Sequence, residues 1–175
     1  MRHVDYLIVG AGLAGSTCAY LLRKAGCDVV LLERLDVSKK AKLCAGLVTP
    51  RAMRELDMIF DKWSNKLVKS RFASMRCDAA GITVDLDRIR MCSVERRELD
   101  AFALDAFRDC GGELVDRFHV RAIDFDQHRL EGTRDSEEQE TLGYGTLIAA
   151  DGALSYVRKA LTVSYTHLRA HETKA

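Results

Sequence analysis

Net charge is nearly absent: 27 basic residues face 26 acidic ones, a net +1 at pH 7 over 175 residues. With no basic excess, the chain has no electrostatic footprint for nucleic acid or for an anionic membrane surface. Long hydrophobic runs are also missing. None approaches the about 18–20 residues of a membrane-spanning helix, so no transmembrane segment is expected. Met1–Asp5 runs directly into an apolar stretch, which leaves no room for a signal peptide and makes the cytoplasm the expected location. Six cysteines occur (Cys18, Cys27, Cys44, Cys77, Cys92 and Cys110), but no two form a C-x-x-C pair. Zinc and redox-motif sites lack their spacing, and no metal site is expected. Free thiols packed as small apolar residues are the expectation for all but Cys44. No internal repeat or low-complexity tract is visible. The composition, 47% hydrophobic and 30% charged, is that of a globular domain with a real core.

What is present gathers first at Asp5–Gly15, DYLIVGAGLAG. Tyr6–Val9 reads as a buried parallel strand, and Gly10, Gly12 and Gly15 follow at the G-x-G-x-x-G spacing. Gly10 permits a tight turn, Gly12 lets a pyrophosphate approach the backbone, and Gly15 lets the next helix pack closely on the strand. Ala11, Leu13 and Ala14 complete the loop, and Ser16–Lys24 continues as that helix. A pyrophosphate there meets free N–H groups and the positive end of the helix dipole. A second strand, Asp28–Leu32, ends in Glu33, 18 residues past Gly15. That is close to the ~20 usual for the acid that accepts ribose hydroxyls. Strand, loop, helix, strand and terminal acid in this order predict a site for an ADP-containing dinucleotide.

Further along, Leu35–Lys42 is polar, and Lys39 and Lys40 are expected to be solvated there. Thr49-Pro50 is a start signal for a helix at Arg51–Leu56. Leu67–Cys77 and Ile82–Leu86, joined at Ala79-Ala80-Gly81, read as an antiparallel hairpin inserted in the nucleotide domain. Met91–Val94 is a further short strand. Arg97–Arg108 is the clearest later helix, stopped by Cys110-Gly111-Gly112. Glu113–Val115 resumes the parallel sheet, and His119–Phe125 pairs with Arg129–Gly132 as a meander. Thr133–Thr141 reads as a charged surface turn. Thr146–Ala150 is a last buried strand, followed by Asp151-Gly152 and a helix at Leu154–Leu161. Asp151 either accepts hydrogen bonds from a polyol or caps that helix. His3, His119 and His128 fall at element edges and are not expected to be catalytic bases.

The segment LIAADGALSYVR at Leu147–Arg158, taken with the first motif, resembles the Asp-Gly fingerprint of flavoproteins with the p-hydroxybenzoate hydroxylase fold. Arg96-Arg97-Glu98-Leu99-Asp100 is similar to that group's R-x-x-F-D step. Lys42-Leu43-Cys44-Ala45-Gly46 looks like the K-x-C-G-G segment of its geranylgeranyl reductase branch, with Ala45 in place of the commoner glycine. The resemblance covers Val4–Leu161. It implies an α/β, Rossmann-like FAD-binding domain with a parallel sheet, inserted antiparallel strands and a β-meander.

In residue terms, the resemblance implies that Gly10–Gly15 hold the FAD pyrophosphate, Glu33 the adenosine ribose, and Arg34 lies beside the adenosine. Arg96 falls near the pyrophosphate or ribityl side, Val120 meets adenine through its backbone, and Asp151 and Gly152 hold the ribityl-pyrophosphate. Cys44 and Ala45 sit near the isoalloxazine ring. Alkene reduction needs a hydride, an aligning apolar pocket and a proton donor. Cys44 is then a proton donor or pocket wall, or else a buried loop thiol. The implied substrate is an isoprenoid or quinone-like small molecule, the electron donor NAD(P)H or a ferredoxin, and peripheral membrane contact is compatible with a lipid substrate. An aromatic monooxygenase on the same fold and a non-catalytic dinucleotide-binding module are the alternatives.

The group's third FAD motif and most of its substrate region are missing from the sequence. The chain is therefore expected to be a C-terminally truncated portion, inactive alone, with residues 1–161 as FAD-binding domain and strands at about 67–94 starting the substrate region. Val163–Thr173, VSYTHLRAHET, resembles translated sequencing adapter, so residues 162–175 are expected to be a non-native tail in which His167 and His171 carry no function.

Overall fold

The computed structural model describes residues 1–40, 43–135 and 139–161. In chain order the elements begin with β1 (Arg2–Val9), α1 (Leu13–Lys24), β2 (Val29–Leu32), β3 (Leu47–Val48) and α2 (Pro50–Ile59). They continue with α3 (Trp63–Leu67), β4 (Val68–Ala79), β5 (Ile82–Val94), α4 (Arg96–Asp109) and β6 (Glu113–Val115). Last come β7 (His119–Asp124), β8 (Arg129–Thr133), β9 (Gln139–Ala149) and α5 (Tyr156–Ala160). The chain divides into two compact units, Met1–Lys40 with Ala103–Ala175, and Ala41–Phe102.

The first unit is built on a six-stranded sheet in the order β6-β2-β1-β9-β8-β7. β6, β2, β1 and β9 are parallel, whereas β8 and β7 continue the sheet antiparallel. Strands buried on both faces read as continuous apolar runs, and every residue of Val29–Leu32 is buried. Alternate residues serve opposite faces. Val4, Leu7, Val9, Val30 and Leu32 join Phe118, Leu130, Tyr144 and Val157 in one cluster. Ile8, Val29 and Leu31 join Ala19 of α1 and Leu104 and Phe107 of α4 in the other. Each fully buried side chain of this size contributes about 1.5–3 kcal/mol. The exposed ion pair of Arg2 with Glu113 is of a kind worth about 0–1 kcal/mol. Burial, not surface charge, holds the sheet.

The second unit carries a three-stranded sheet in the order β3-β5-β4. Thr49 Oγ1 accepts from the Ala52 N–H at 3.3 Å and Pro50 opens α2, as the start signal predicts. Trp63 is fully buried and its Nε1–H donates to Asp57 Oδ1 at 2.6 Å. Phe60 and Phe102 meet edge to face, centroids 5.5 Å apart. The outer hairpin is amphipathic. Met75, Cys77 and Ala79 stand opposite Leu86, Val84 and Ile82, so these six apolar residues share one face. Ser74, Arg76 and Asp78 stand opposite Asp87, Asp85 and Thr83 on the other.

Three expectations are corrected. Met91–Val94 is not a separate strand but the end of the 13-residue β5. The charged stretch Asp87–Arg90 hides that continuity, and the ladder to β4 shifts register there, between Phe72 and Ser74. The last strand is not Thr146–Ala150 but Gln139–Ala149. Its polar first half pairs with β8, as in Thr141 with Glu131, so part of the stretch read as a turn is strand. The closing helix is shorter, starting at Tyr156 behind an N-cap at Ser155. The hexa-apolar face has an expected outcome in solution. Ile82, Val84 and Leu86 are 67%, 45% and 39% exposed, and such a patch favours association. Replacing all three by threonine, which keeps β propensity, is expected to lower concentration-dependent light scattering while leaving the far-ultraviolet circular dichroism unchanged.

Candidate functional site

β1 ends where the chain must turn within one residue. Gly10 does so at φ +105°, a region that favours glycine, and its N–H donates to the Leu32 carbonyl at 2.7 Å. A Cβ on Gly10 would lie 2.9 Å from the Asp151 Cα and nearer still to the Ala150 carbonyl. One on Gly15 would strike the Gly10 carbonyl oxygen and sit 3.2 Å from the Ala150 Cβ. These two glycines bring α1, the turn and the end of β9 into backbone contact. Gly12 is different: nothing lies within 4 Å of where its Cβ would be, and its φ of −81° suits any residue. Its lack of a side chain serves no packing need of the protein, which is what close approach of a ligand would require.

α1 begins at Leu13, three residues before the expected Ser16, with Gly12 as its N-cap. No acidic residue occupies its first turn, and Arg23 and Lys24 lie in its last. The positive end of the dipole is uncompensated by side chains and favours an anion. Ser16 is fully buried, yet its hydroxyl and that of Thr17 have no hydrogen-bond partner among the described residues. These two polar groups were not singled out from sequence. The available signal was a hydroxyl pair directly after the third glycine.

Glu33 follows β2 and is buried. Its Oε2 accepts from the Ala11 N–H at 3.0 Å and its Oε1 from the Leu35 N–H at 3.0 Å. Lys40 forms an ion pair with Oε2. The expectation of a solvated Lys40 is thereby corrected: a buried carboxylate draws in the nearest cation. Lys39 is exposed as expected, and so is Arg34. Burial pushes the Glu33 carboxyl upward, but the Lys40 hydrogen bond and charge and the two backbone N–H groups outweigh it and hold it below its ordinary 4.5.

At the end of β9 the Ala150 N–H donates to the Val9 carbonyl at 2.8 Å, which sets Asp151 beside the glycine turn. Asp151 Oδ2 accepts from the N–H groups of Tyr156 at 2.6 Å and Val157 at 3.3 Å. Its Oδ1 is buried without a partner among the described residues. One oxygen therefore caps α5 while the other is available to a donor. Gly152 adopts φ +81° with open space around it. Val120 lies in β7, where the ladder to β8 is irregular between Val120 and Ala122. The Tyr156 hydroxyl donates to the Arg121 carbonyl at 2.5 Å, tying α5 to β7.

Cys44, Ala45 and Arg96 belong to the second unit, whereas Gly10–Gly15, Glu33, Arg34, Val120, Asp151 and Gly152 belong to the first. Cys44 is exposed, not the buried loop thiol offered as one alternative, and Cys77 is exposed as well. The Gly46 N–H donates to Cys44 Sγ at 3.4 Å, and the Arg96 guanidinium lies near enough to Cys44 to interact with it electrostatically. Arg96 Nε donates to Asp100 Oδ1 at 2.6 Å. Burial disfavours the Arg96 charge, but Asp100 and Cys44 more than offset it, so its pKa is raised. Lys42 lies outside the described residues, as do 162–175.

A nucleotide cofactor with a pyrophosphate, a ribose and a polyol fits this donor and acceptor set: an open glycine at a helix N-terminus, a buried ionised acid, and an orphaned carboxylate oxygen. Gly12→Val is expected to leave the thermal midpoint within a few degrees while abolishing FAD binding by equilibrium dialysis, because only the ligand meets the new side chain. Gly15→Val is expected to lower stability itself by about 1–3 kcal/mol or more. For Glu33, a depressed folded-state pKa means stabilisation present above the unfolded value and lost as pH falls through the folded one. Glu33→Gln is therefore expected to destabilise near neutrality, with the gap to the unaltered protein closing on acidification below 4.5. Urea unfolding across pH checks this.

Comparison with known proteins agrees with that chemistry. The chain is 29% identical over 156 residues to digeranylgeranylglycerophospholipid reductase 1 of Methanopyrus kandleri, covering 87% of this chain and 40% of the relative. It is 29% identical over 156 residues to geranylgeranyl diphosphate reductase of Rhodobacter capsulatus, covering 88% and 39% respectively. The chain thus spans about two fifths of the length of these curated relatives. Among solved structures, p-nitrophenol 4-monooxygenase PnpA of Pseudomonas putida superposes with a TM-score of 0.79 at 21% identity, over 92% of this chain and 44% of that one, and shares the fold. Residues 3–174 match the FAD binding domain family, and the chain belongs to it.

Proposed function

We propose that the protein is an FAD-dependent oxidoreductase that reduces carbon–carbon double bonds of isoprenoid chains. The observation that carries the reading is the meeting of two cofactor features at one point: the glycine turn after β1 and Asp151 after β9, with Asp151 Oδ1 buried and unpartnered among the described residues. Relatives that act on geranylgeranyl compounds favour the prenyl substrate over a phenol. Bound FAD, once reduced by NAD(P)H or a ferredoxin, supplies the hydride.

The chain's own residues bind, orient and move a proton. The N–H groups opening α1 hold the pyrophosphate, Glu33 accepts from the adenosine ribose, and Arg34 and Val120 flank the adenosine. Asp151 and Gly152 take the ribityl side. An alkene that accepts a hydride must also receive a proton, and Cys44 Sγ is the group that delivers it. Arg96 and the Gly46 N–H stabilise the thiolate left behind. Residues 67–94 start the substrate region, where the apolar face of the β4–β5 hairpin suits a hydrocarbon chain. A lipid substrate is reached by peripheral contact; among the described residues no helix is long and apolar enough to cross a membrane.

The test is anaerobic. The full-length protein that carries this chain is loaded with FAD, reduced chemically and mixed with a geranylgeranyl lipid. Recovery of the oxidised flavin band, with a gain of two hydrogens per double bond by mass spectrometry, is the expected result. NAD(P)H-dependent oxygen consumption on a phenol would instead establish the aromatic monooxygenase reading. Bound ADP or NAD with no flavin band would mark a non-catalytic module. Cys44→Ser is expected to slow flavin reoxidation by about 10²-fold or more, with FAD affinity unchanged by dialysis.

A further inference from the structure

A carboxylate offers about four lone-pair sites, and three protein donors already converge on Glu33. The Ala11 and Leu35 N–H groups take one each at 3.0 Å, and the Lys40 ammonium takes a third. An adenosine ribose brings two vicinal hydroxyls, so the combined demand exceeds the acceptor's capacity by one. The three protein donors are not equally replaceable. The Ala11 N–H is fixed by the turn between β1 and α1, and the Leu35 N–H lies two residues from the acid itself. Lys40 sits at the end of a flexible four-carbon stem, and its side chain is 21% exposed against 8% for Glu33. It alone can leave and regain water.

We infer that Lys40 and the ribose hydroxyls of a bound adenine nucleotide compete for the Glu33 carboxylate, so that Lys40 sets the affinity and the diol preference of the adenosine subsite. The inference rests on the assignment of Glu33 to the ribose. Breaking the Lys40 pair is a cost that falls on the nucleotide-bound protein alone. Removing the amine lowers the stability of the protein without nucleotide and spares the complex, which tightens binding.

The experiment titrates the 175-residue chain with ADP, and separately with 2′,3′-dideoxy-ADP, by isothermal calorimetry. Lys40→Met is expected to bind ADP about fivefold tighter than the unaltered protein, with no gain for the dideoxy compound, which has no hydroxyl to place on Glu33. Lys40→Arg, which keeps the pair, is expected to match the unaltered protein for both. In the unaltered protein, acetylation of Lys40 by acetic anhydride, read by peptide mass spectrometry, is expected to rise when ADP is bound. The last readout needs no variant to fold. Weaker or equal ADP binding by Lys40→Met, or an equal gain for the dideoxy compound, overturns the competition, as does protection of Lys40 by ADP. If the unaltered protein binds ADP and the dideoxy compound equally, the assignment of Glu33 to the ribose fails, and the inference with it.

Discussion

Everything in the first unit hangs on a backbone-to-backbone contact between the turn after β1 and the end of β9. The turn can meet Ala150 only because Gly10 has no Cβ, and α1 can settle on the turn only because Gly15 has none. The contact is short-range and steric, so it has little tolerance: a single methyl at either position falls inside a carbonyl group. Around it the hydrophobic clusters are ordinary parallel-sheet packing, able to absorb small changes of shape. The contact also fixes which atoms can face a ligand. It sets Asp151 beside the mouth of the helix while leaving the Cβ direction of Gly12 open.

A charge sits close to this apolar frame. Glu33 ends a fully buried strand, where an ionised carboxylate is costly unless every lone pair is met. The protein meets it with two backbone donors and one lysine drawn in from the following loop. On the proposed assignment of Glu33 to the ribose, binding chemistry and folding chemistry share one carboxylate, and a change made for either is felt by the other.

Much of this was legible in the sequence. The glycine spacing, the apolar run VVLL, Glu33 at its end, the Thr49-Pro50 start and the α4 periodicity all depend on local sterics or on helix and strand period, which one chain carries in plain order. The misses share a different cause. The polar half of β9 is strand because β8 pairs with it, and no local preference announces a partner from another part of the chain. β5 runs through four consecutive charged or half-buried residues for the same reason. Lys40 read as solvent-exposed because its partner, seven residues back, becomes a strong acceptor only once it is buried. The orphaned oxygen of Asp151 could not be anticipated, since a side chain that both caps and leaves one oxygen open has the same letter as one that only caps.

Synthesis order gives the position of β9 another meaning. β1 is made first and pairs with β2 within about thirty residues, but its other edge waits for residues 142–149. That pairing closes a loop of well over a hundred residues, the kind of non-local contact that slows folding. Until it forms, β1 presents an open edge to any strand that passes, which is a hazard for a nascent chain. Because Ala150 and Asp151 follow directly, β9 is also the strand that brings the residue proposed above for the ribityl side of the cofactor. On that proposal a nascent chain completes its cofactor site only when its central sheet is closed, and the capacity to bind reports that the sheet has been assembled.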